Sequence, residues 1–283
     1  MKNNIRQFCF PASVKEAAGL MNRLKSKALI AAGGTRLARA ILPAVDTVVD
    51  ISDLPLKYIK ADNAWLRIGA LCTIDEMEKS PLLARWACGV IAKTAGFGSN
   101  SFSRGMGTMG GNVVRAHPYN NLPPLFLALD AVVVGTDSRR EKVLPFAELL
   151  KPEGMREFGS RYLLTEVRVP ARTKTWSAAS ERLALTKSDW ESYASCVVVV
   201  DRKGGVCRGG AIAVSAVIPR AARMARAEAL LAGQPATEAT ARKAAAAVVA
   251  ELEELTAGSA AKAYAREMAG VLVRRALCEA FQA

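Results

Sequence analysis

Histidine is almost absent: His117 is the single one in 283 residues. A His-rich metal centre is thereby excluded, and a Ser-His-Asp triad would have to use that one residue. Cysteine is sparse and poorly spaced for chemistry. Cys9, Cys72, Cys88, Cys196, Cys207 and Cys278 are scattered, with no C-x-x-C among them, which argues against a zinc ribbon, an iron-sulfur cluster or a secreted disulfide frame. The thiols are expected to be reduced and mostly structural. No apolar run approaches the ~18 residues needed to span a bilayer, and the opening MKNNIRQFCFPASVKEA has no apolar core of the signal-peptide kind. A cytoplasmic location without a membrane span is the resulting expectation.

What is present is apolar material and positive charge. With 51% hydrophobic and 23% charged residues, the chain can bury a sizeable core and is long enough for two or three domains. The net charge of +13 is spread along the chain without a basic block or interleaved aromatics, so no nucleic-acid partner is expected. Two readings of that charge stay open: a generally basic surface, or one that docks an acidic partner protein or collects an anionic cofactor.

Glycine is where the sequence becomes specific. SRGMGTMGGN (103–112) holds Gly105, Gly107 and Gly110 in G-x-G-x-x-G spacing, with Asp130 twenty positions beyond. A dinucleotide-binding turn needs an apolar strand entering and a helix leaving. The approach GFGSNSFSR is polar, and the exit meets Pro118 before a helix could complete two turns. A second turn is the better anion site: an apolar run, 28–32, delivers Gly33 and Gly34 to Thr35, a credible cap for a short helix. Alone, that turn reads equally well as a ligand-free strand-to-helix connection.

The remaining pattern divides the chain into 1–57, 58–172 and 173–283. In the first block Ser13 and Glu16 form a capping box for a helix over 14–25, and strands at 28–32 and 46–52 complete a small parallel α/β unit. The second block is α+β: a strand near 65–72, a capping box of Thr73 and Glu76, a helix over 81–96 running into the glycine loop, a hairpin turning at GTDSRR, and a strand closed by Pro170. The third holds a long hairpin turning at Lys203–Gly205, then helices over 220–232, 236–255 and 258–281.

Two glycine turns in successive blocks suit one extended ligand, and a diphosphate fits two sets of converging backbone N–H groups. AAGGTRL (31–37), TMGGN (108–112), LPPLFLALDAVVV (122–134), LLTEVRVP (163–170) and YAREMAGVLVRRAL (264–277) resemble, in that order, the FAD-binding medium subunit of molybdenum hydroxylases, the group of carbon monoxide dehydrogenase and the flavin domain of xanthine dehydrogenase. The resemblance implies an α+β fold: a two-subdomain FAD-binding domain of the vanillyl-alcohol-oxidase (PCMH) type, followed by an α+β C-terminal flavoprotein domain. It implies FAD as cofactor, bound by Ala31, Ala32, Gly33, Gly34, Thr35, Arg36 and Leu37 on one side and by Thr108, Met109, Gly110, Gly111 and Asn112 on the other. Asn121, Leu164 and Arg182 are further implied contacts. Asn121 stands where the family commonly has Asp, and Arg36 where many members carry Asp or Ser.

The implied activity is that of an oxidoreductase subunit, an FAD-dependent dehydrogenase component with no catalytic side chain and no metal of its own. Its implied partners are a molybdopterin-binding large subunit and an iron-sulfur small subunit, with electrons passing to NAD or another acceptor. A flavin-free assembly subunit and a stand-alone flavin oxidoreductase are the alternatives.

Overall fold

The computed structural model describes residues 5–35 and 44–283. They form two compact units, each discontinuous in sequence: residues up to Glu76 with Ser101–Arg115 and Val132–Arg168, and Met77–Asn100 with Ala116–Ala131 and Val169–Ala283.

The first unit begins as a three-stranded parallel sheet of β1 (Gln7–Cys9), β2 (Ala28–Ala31) and β3 (Thr47–Asp50), in the order β1-β3-β2. The helix Val14–Leu24 crosses between β1 and β2 and buries Ala17, Ala18 and Met21 against Val49, Ile51, Leu54 and Leu56. Ser13 caps it, its Oγ accepting from the Glu16 N–H at 3.1 Å. The short helix expected after Thr35 falls on residues outside those described.

A five-stranded sheet follows, β4-β5-β8-β6-β7, from β4 (Ile59–Ala61), β5 (Trp65–Gly69), β6 (Val132–Thr136), β7 (Glu141–Pro145) and β8 (Leu163–Pro170). The Thr73–Glu76 capping box closes reciprocally, at 2.9 and 3.1 Å. The β6–β7 turn is pinned by Asp137, whose carboxylate accepts from the N–H groups of Arg139 and Arg140 at 3.0 Å each. Those bonds hold its pKa below the usual carboxylate range.

The second unit is an antiparallel sheet, β12-β11-β10-β9, of β9 (Ser177–Leu183), β10 (Ala194–Lys203), β11 (Val206–Ser215) and β12 (Ala222–Arg223). Gly204 and Gly205, at φ 59° and 77°, make the tight β10–β11 turn with the left-handed conformations it requires. The helices Glu238–Leu255 and Ala263–Gln282 share a core with this sheet, Val198, Val200, Ile212 and Val214 packing with Val248, Leu252, Leu272 and Leu277.

Two expectations are corrected, and one strand falls in a segment to which the sequence assigned no element. Residues 81–96 do not form one helix but two short 3-10 turns and the helix Val90–Ala95. Ala87, Cys88 and Gly89 all take positive φ, while Trp86 is extended and buried, its indole N–H donating to Thr173 Oγ1 at 3.0 Å. A helical period was present, but tertiary burial of Trp86 overrides it. SAASERL forms β9 because β10 gives it a partner, although its small residues carry little strand propensity. The helix expected over 220–232 is β12 followed by the short helix Ala225–Ala229.

The Trp86–Thr173 bond is a direct test of this break. Trp86→Phe should lower stability by about 1–3 kcal/mol in urea unfolding followed by circular dichroism; a change near zero would show that Trp86 does not hold the segment.

Candidate functional site

In the first unit, β2 ends at the buried Ala31, whose carbonyl accepts the Ile51 N–H at 2.9 Å. Ala32, Gly33 and Gly34 follow half-buried, and Thr35 is exposed. Gly34 takes φ +66°, with open space where a Cβ would point. Gly33 is the opposite case: a Cβ there would lie 1.6 Å from the carbonyl oxygen of Met106. The two glycine turns therefore meet backbone against backbone. Arg36 and Leu37 lie outside the described residues.

The second turn sits between two short helices, Ser101–Met106 and Met109–Arg115. Thr108 bridges Thr73, the Met109 N–H donates to Cys72 O at 2.8 Å, and the Gly110 N–H donates to Ala70 O at 2.9 Å. Gly110 is needed for that approach, since a Cβ would come within 2.9 Å of the Ala70 oxygen. Thr108 caps the following helix through its Oγ1, which accepts the Gly111 N–H at 3.2 Å, and its carbonyl accepts the Asn112 N–H at 3.0 Å. The amides of Met109, Gly110, Gly111 and Asn112 are thus all used within the chain, so the picture of two amide sets converging on a diphosphate shifts toward the first turn. Leu164 is buried in β8, opposite Gly135.

The turn is entered from the helix Ser101–Met106 where a dinucleotide-binding turn needs a strand, which agrees with the exclusion, although a seven-residue helix leaves it. Asp130, the acid at the suggestive spacing, belongs to the second unit, paired with Arg172 at 3.0 Å and Arg223 at 2.9 Å.

That unit also holds Asn121 and Arg182, brought together by Phe97 and Gly98. Asn121 Nδ2 donates to Phe97 O at 2.6 Å. Gly98, at φ +64°, lies so close to Arg182 that a Cβ would sit 3.3 Å from its Cζ. Arg182 Nη2 donates to the carbonyls of Asp189, Trp190 (3.1 Å) and Glu191 (3.4 Å). Burial pushes the Arg182 pKa down, with the Asp189 charge opposing. The buried atoms without a hydrogen-bond partner among the described residues include the acceptor Asn121 Oδ1 and the donor Arg182 Nε. His117 stacks 4.6 Å from Trp190, and no metal-binding cluster occurs among the described residues.

Sequence reasoning missed Met106, which acts through its carbonyl, and Phe97, which acts through its own. Backbone groups leave no residue-type signal. Gly98 had one, in GFGSN.

Comparison with known proteins gives this arrangement a family. Residues 3–172 match the family described as FAD binding domain in molybdopterin dehydrogenase. The chain belongs to that family. Residues 182–280 match the CO dehydrogenase flavoprotein C-terminal domain. The carbon monoxide dehydrogenase medium chain of Hydrogenophaga pseudoflava is 30% identical over 94% of each chain, and the nicotinate dehydrogenase FAD-subunit of Eubacterium barkeri is 28% identical over 83% of this chain and 82% of the relative. The solved carbon monoxide dehydrogenase from H. pseudoflava lacking the Mo-pyranopterin moiety superimposes with a TM-score of 0.89 at 30% identity, covering 100% of this chain and 99% of the other. This member of the molybdopterin dehydrogenase family is an FAD-binding medium subunit of the carbon monoxide dehydrogenase type, an oxidoreductase subunit with the expected α+β fold. Its residues fit FAD: a glycine turn with one open side, and a buried acceptor and donor that protein groups leave unused. No described helix is long and apolar enough to cross a membrane.

The two adjacent glycines should respond differently to alanine. Gly33→Ala forces a methyl onto the Met106 carbonyl and should abolish a cooperative melt of this unit or lower its midpoint sharply. Gly34→Ala meets only the left-handed backbone penalty, roughly 1–2 kcal/mol. Thermal unfolding of both variants checks the difference; equal effects would contradict the contact between the turns.

Proposed function

We propose that the first glycine turn binds the FAD diphosphate, with Ala31–Thr35 offering the amides at the end of β2 and with Arg36 and Leu37 as further cofactor-binding residues. The single observation that carries this is the backbone contact of Gly33 with Met106, which leaves Gly34 as the open side of a preformed cradle. Thr108, Met109, Gly110, Gly111 and Asn112 form its floor and the start of a helix, and Leu164 is an apolar contact. Asn121 Oδ1 and Arg182 Nε are proposed as a further acceptor and donor for the cofactor. The layout 1–57, 58–172 and 173–283 is proposed as three domains, since each range carries one sheet.

FAD held by these residues would supply the redox chemistry of an electron-transfer subunit that links the iron-sulfur clusters of a small partner subunit, and through them a molybdopterin-binding large subunit, to NAD or another acceptor. The polypeptide binds and orients. We place the assembly in the cytoplasm, where six free cysteines remain reduced. Anaerobic NADH added to the FAD-loaded complex tests the acceptor. Bleaching of the flavin absorbance supports NAD, and no bleaching directs the search to another acceptor.

Asn121 is matched to its own neighbour, the Phe97 carbonyl. An Asp there would place a carboxylate oxygen where Nδ2 now meets Phe97 O at 2.6 Å, a contact that only the protonated acid can make. Its pKa would rise, so the stabilising form is present at low pH and lost as pH rises through the raised value. Asn121→Asp should therefore retain less FAD as pH rises, measured as bound flavin after desalting, while the wild type stays level. Retention that is flat with pH in the variant would contradict this.

A further inference from the structure

On the five-stranded sheet of the first unit lies a cavity of about 500 Å³ that includes none of the glycine-turn residues. Four cations line it, Lys15, Lys60, Arg67 and Arg168, against two carboxylates, Glu141 and Glu166. The floor is Glu166, 4% exposed, which accepts from Tyr58 Oη at 2.7 Å and Arg168 Nε at 2.5 Å and has Arg67 Nη1 at 3.6 Å. This carboxylate serves both arginines, and each reaches one further acid, Arg168 to Glu141 and Arg67 to Asp62. The lining residues alone carry a surplus of two positive charges, and one remains once Asp62 is counted.

The surplus is placed against local electrostatic preference twice. Lys60 on β4 stands directly opposite Arg67 on β5 in the antiparallel register, a like-charge pair that destabilises a sheet. Its ammonium lies 4.7 Å over the Tyr58 ring, and it forms no ion pair among the described residues. Lys15 is the second residue of the helix Val14–Leu24, at the end where the helix dipole disfavours a cation. The adjacent Glu16 turns away to accept the Ala12 N–H at 2.8 Å. Two local conflicts directed at one cavity, offset only by the contact of Lys60 with the Tyr58 ring, mark a functional position better than a structural one.

We propose that this cavity is an anion site for a ligand carrying two or more negative charges, of phosphate or carboxylate type, held by Lys15, Lys60 and the outer faces of Arg67 and Arg168. The site is independent of the flavin reading. Its ligand is either a free small anion or paired acidic side chains of a partner subunit.

The test uses the full chain saturated with FAD, pyrophosphate as probe, and the variants Lys60→Gln and Lys15→Gln. Pyrophosphate should raise the melting temperature of the wild type, and either variant should weaken that response at least tenfold in the concentration required. Without pyrophosphate, Lys60→Gln should melt higher than the wild type, because it removes the repulsion with Arg67; a merely structural lysine would not give that gain. Bound FAD should be unchanged in both variants, which separates this site from the cradle. In the assembled complex, a carbodiimide cross-link from Lys60 or Lys15 to a partner carboxylate assigns the anion to the partner, and a persisting pyrophosphate response assigns it to a free ligand. Equal pyrophosphate responses in wild type and variants, with no gain in the Lys60→Gln melt and no cross-link, would overturn the proposal.

Discussion

The contact of Gly33 with the Met106 carbonyl is the constraint on which the candidate site depends. It is a contact between main chains, with no room for even a methyl group between them. A glycine at 33 is therefore needed for fold as much as for cofactor, and Gly110 repeats the logic against Ala70. The sheet of β1, β2 and β3 supplies the rigid end from which the first turn emerges, and the second turn is pinned to Ala70 and Cys72, just beyond β5. On the proposed function, cofactor binding would act on a turn whose contact with Met106 is already set, which would limit the ordering entropy lost on binding.

Backbone donors limit what the second turn can offer an anion. Four of its amides already have protein acceptors, and buried amides are seldom left unpaired. Its glycines permit close packing on Ala70 and on Thr108. The first turn keeps the features of an anion site: the end of a parallel strand, one left-handed glycine and an open side. In the other unit the arrangement is reversed. There the side chains of Asn121 and Arg182 fasten main-chain carbonyls with one end and leave a buried atom open at the other.

Much of this was legible before any coordinates. Capping boxes at Ser13 and Thr73 announced their helices because a hydroxyl and a carboxylate three residues apart satisfy orphan amides locally. The β10–β11 hairpin was legible because paired glycines between valine-rich runs allow few alternatives. The break at Trp86 was not, since the indole finds Thr173 far away in sequence, and no local pattern reports such a partner. Strand β9 was hidden for a similar reason: its small residues become a strand only beside β10. Of the site, the glycines were visible as residue types, while Met106 and Phe97 act through carbonyls that every residue possesses.

The measurement that bears most directly on the central claim is the flavin content of the chain co-expressed with its partner subunits, read as FAD released by acid per polypeptide. The account predicts about one FAD per chain, falling in proportion when the Gly33–Met106 contact is disrupted. A complex that assembles fully and releases no flavin would contradict it, leaving the glycine turns as a device of folding alone.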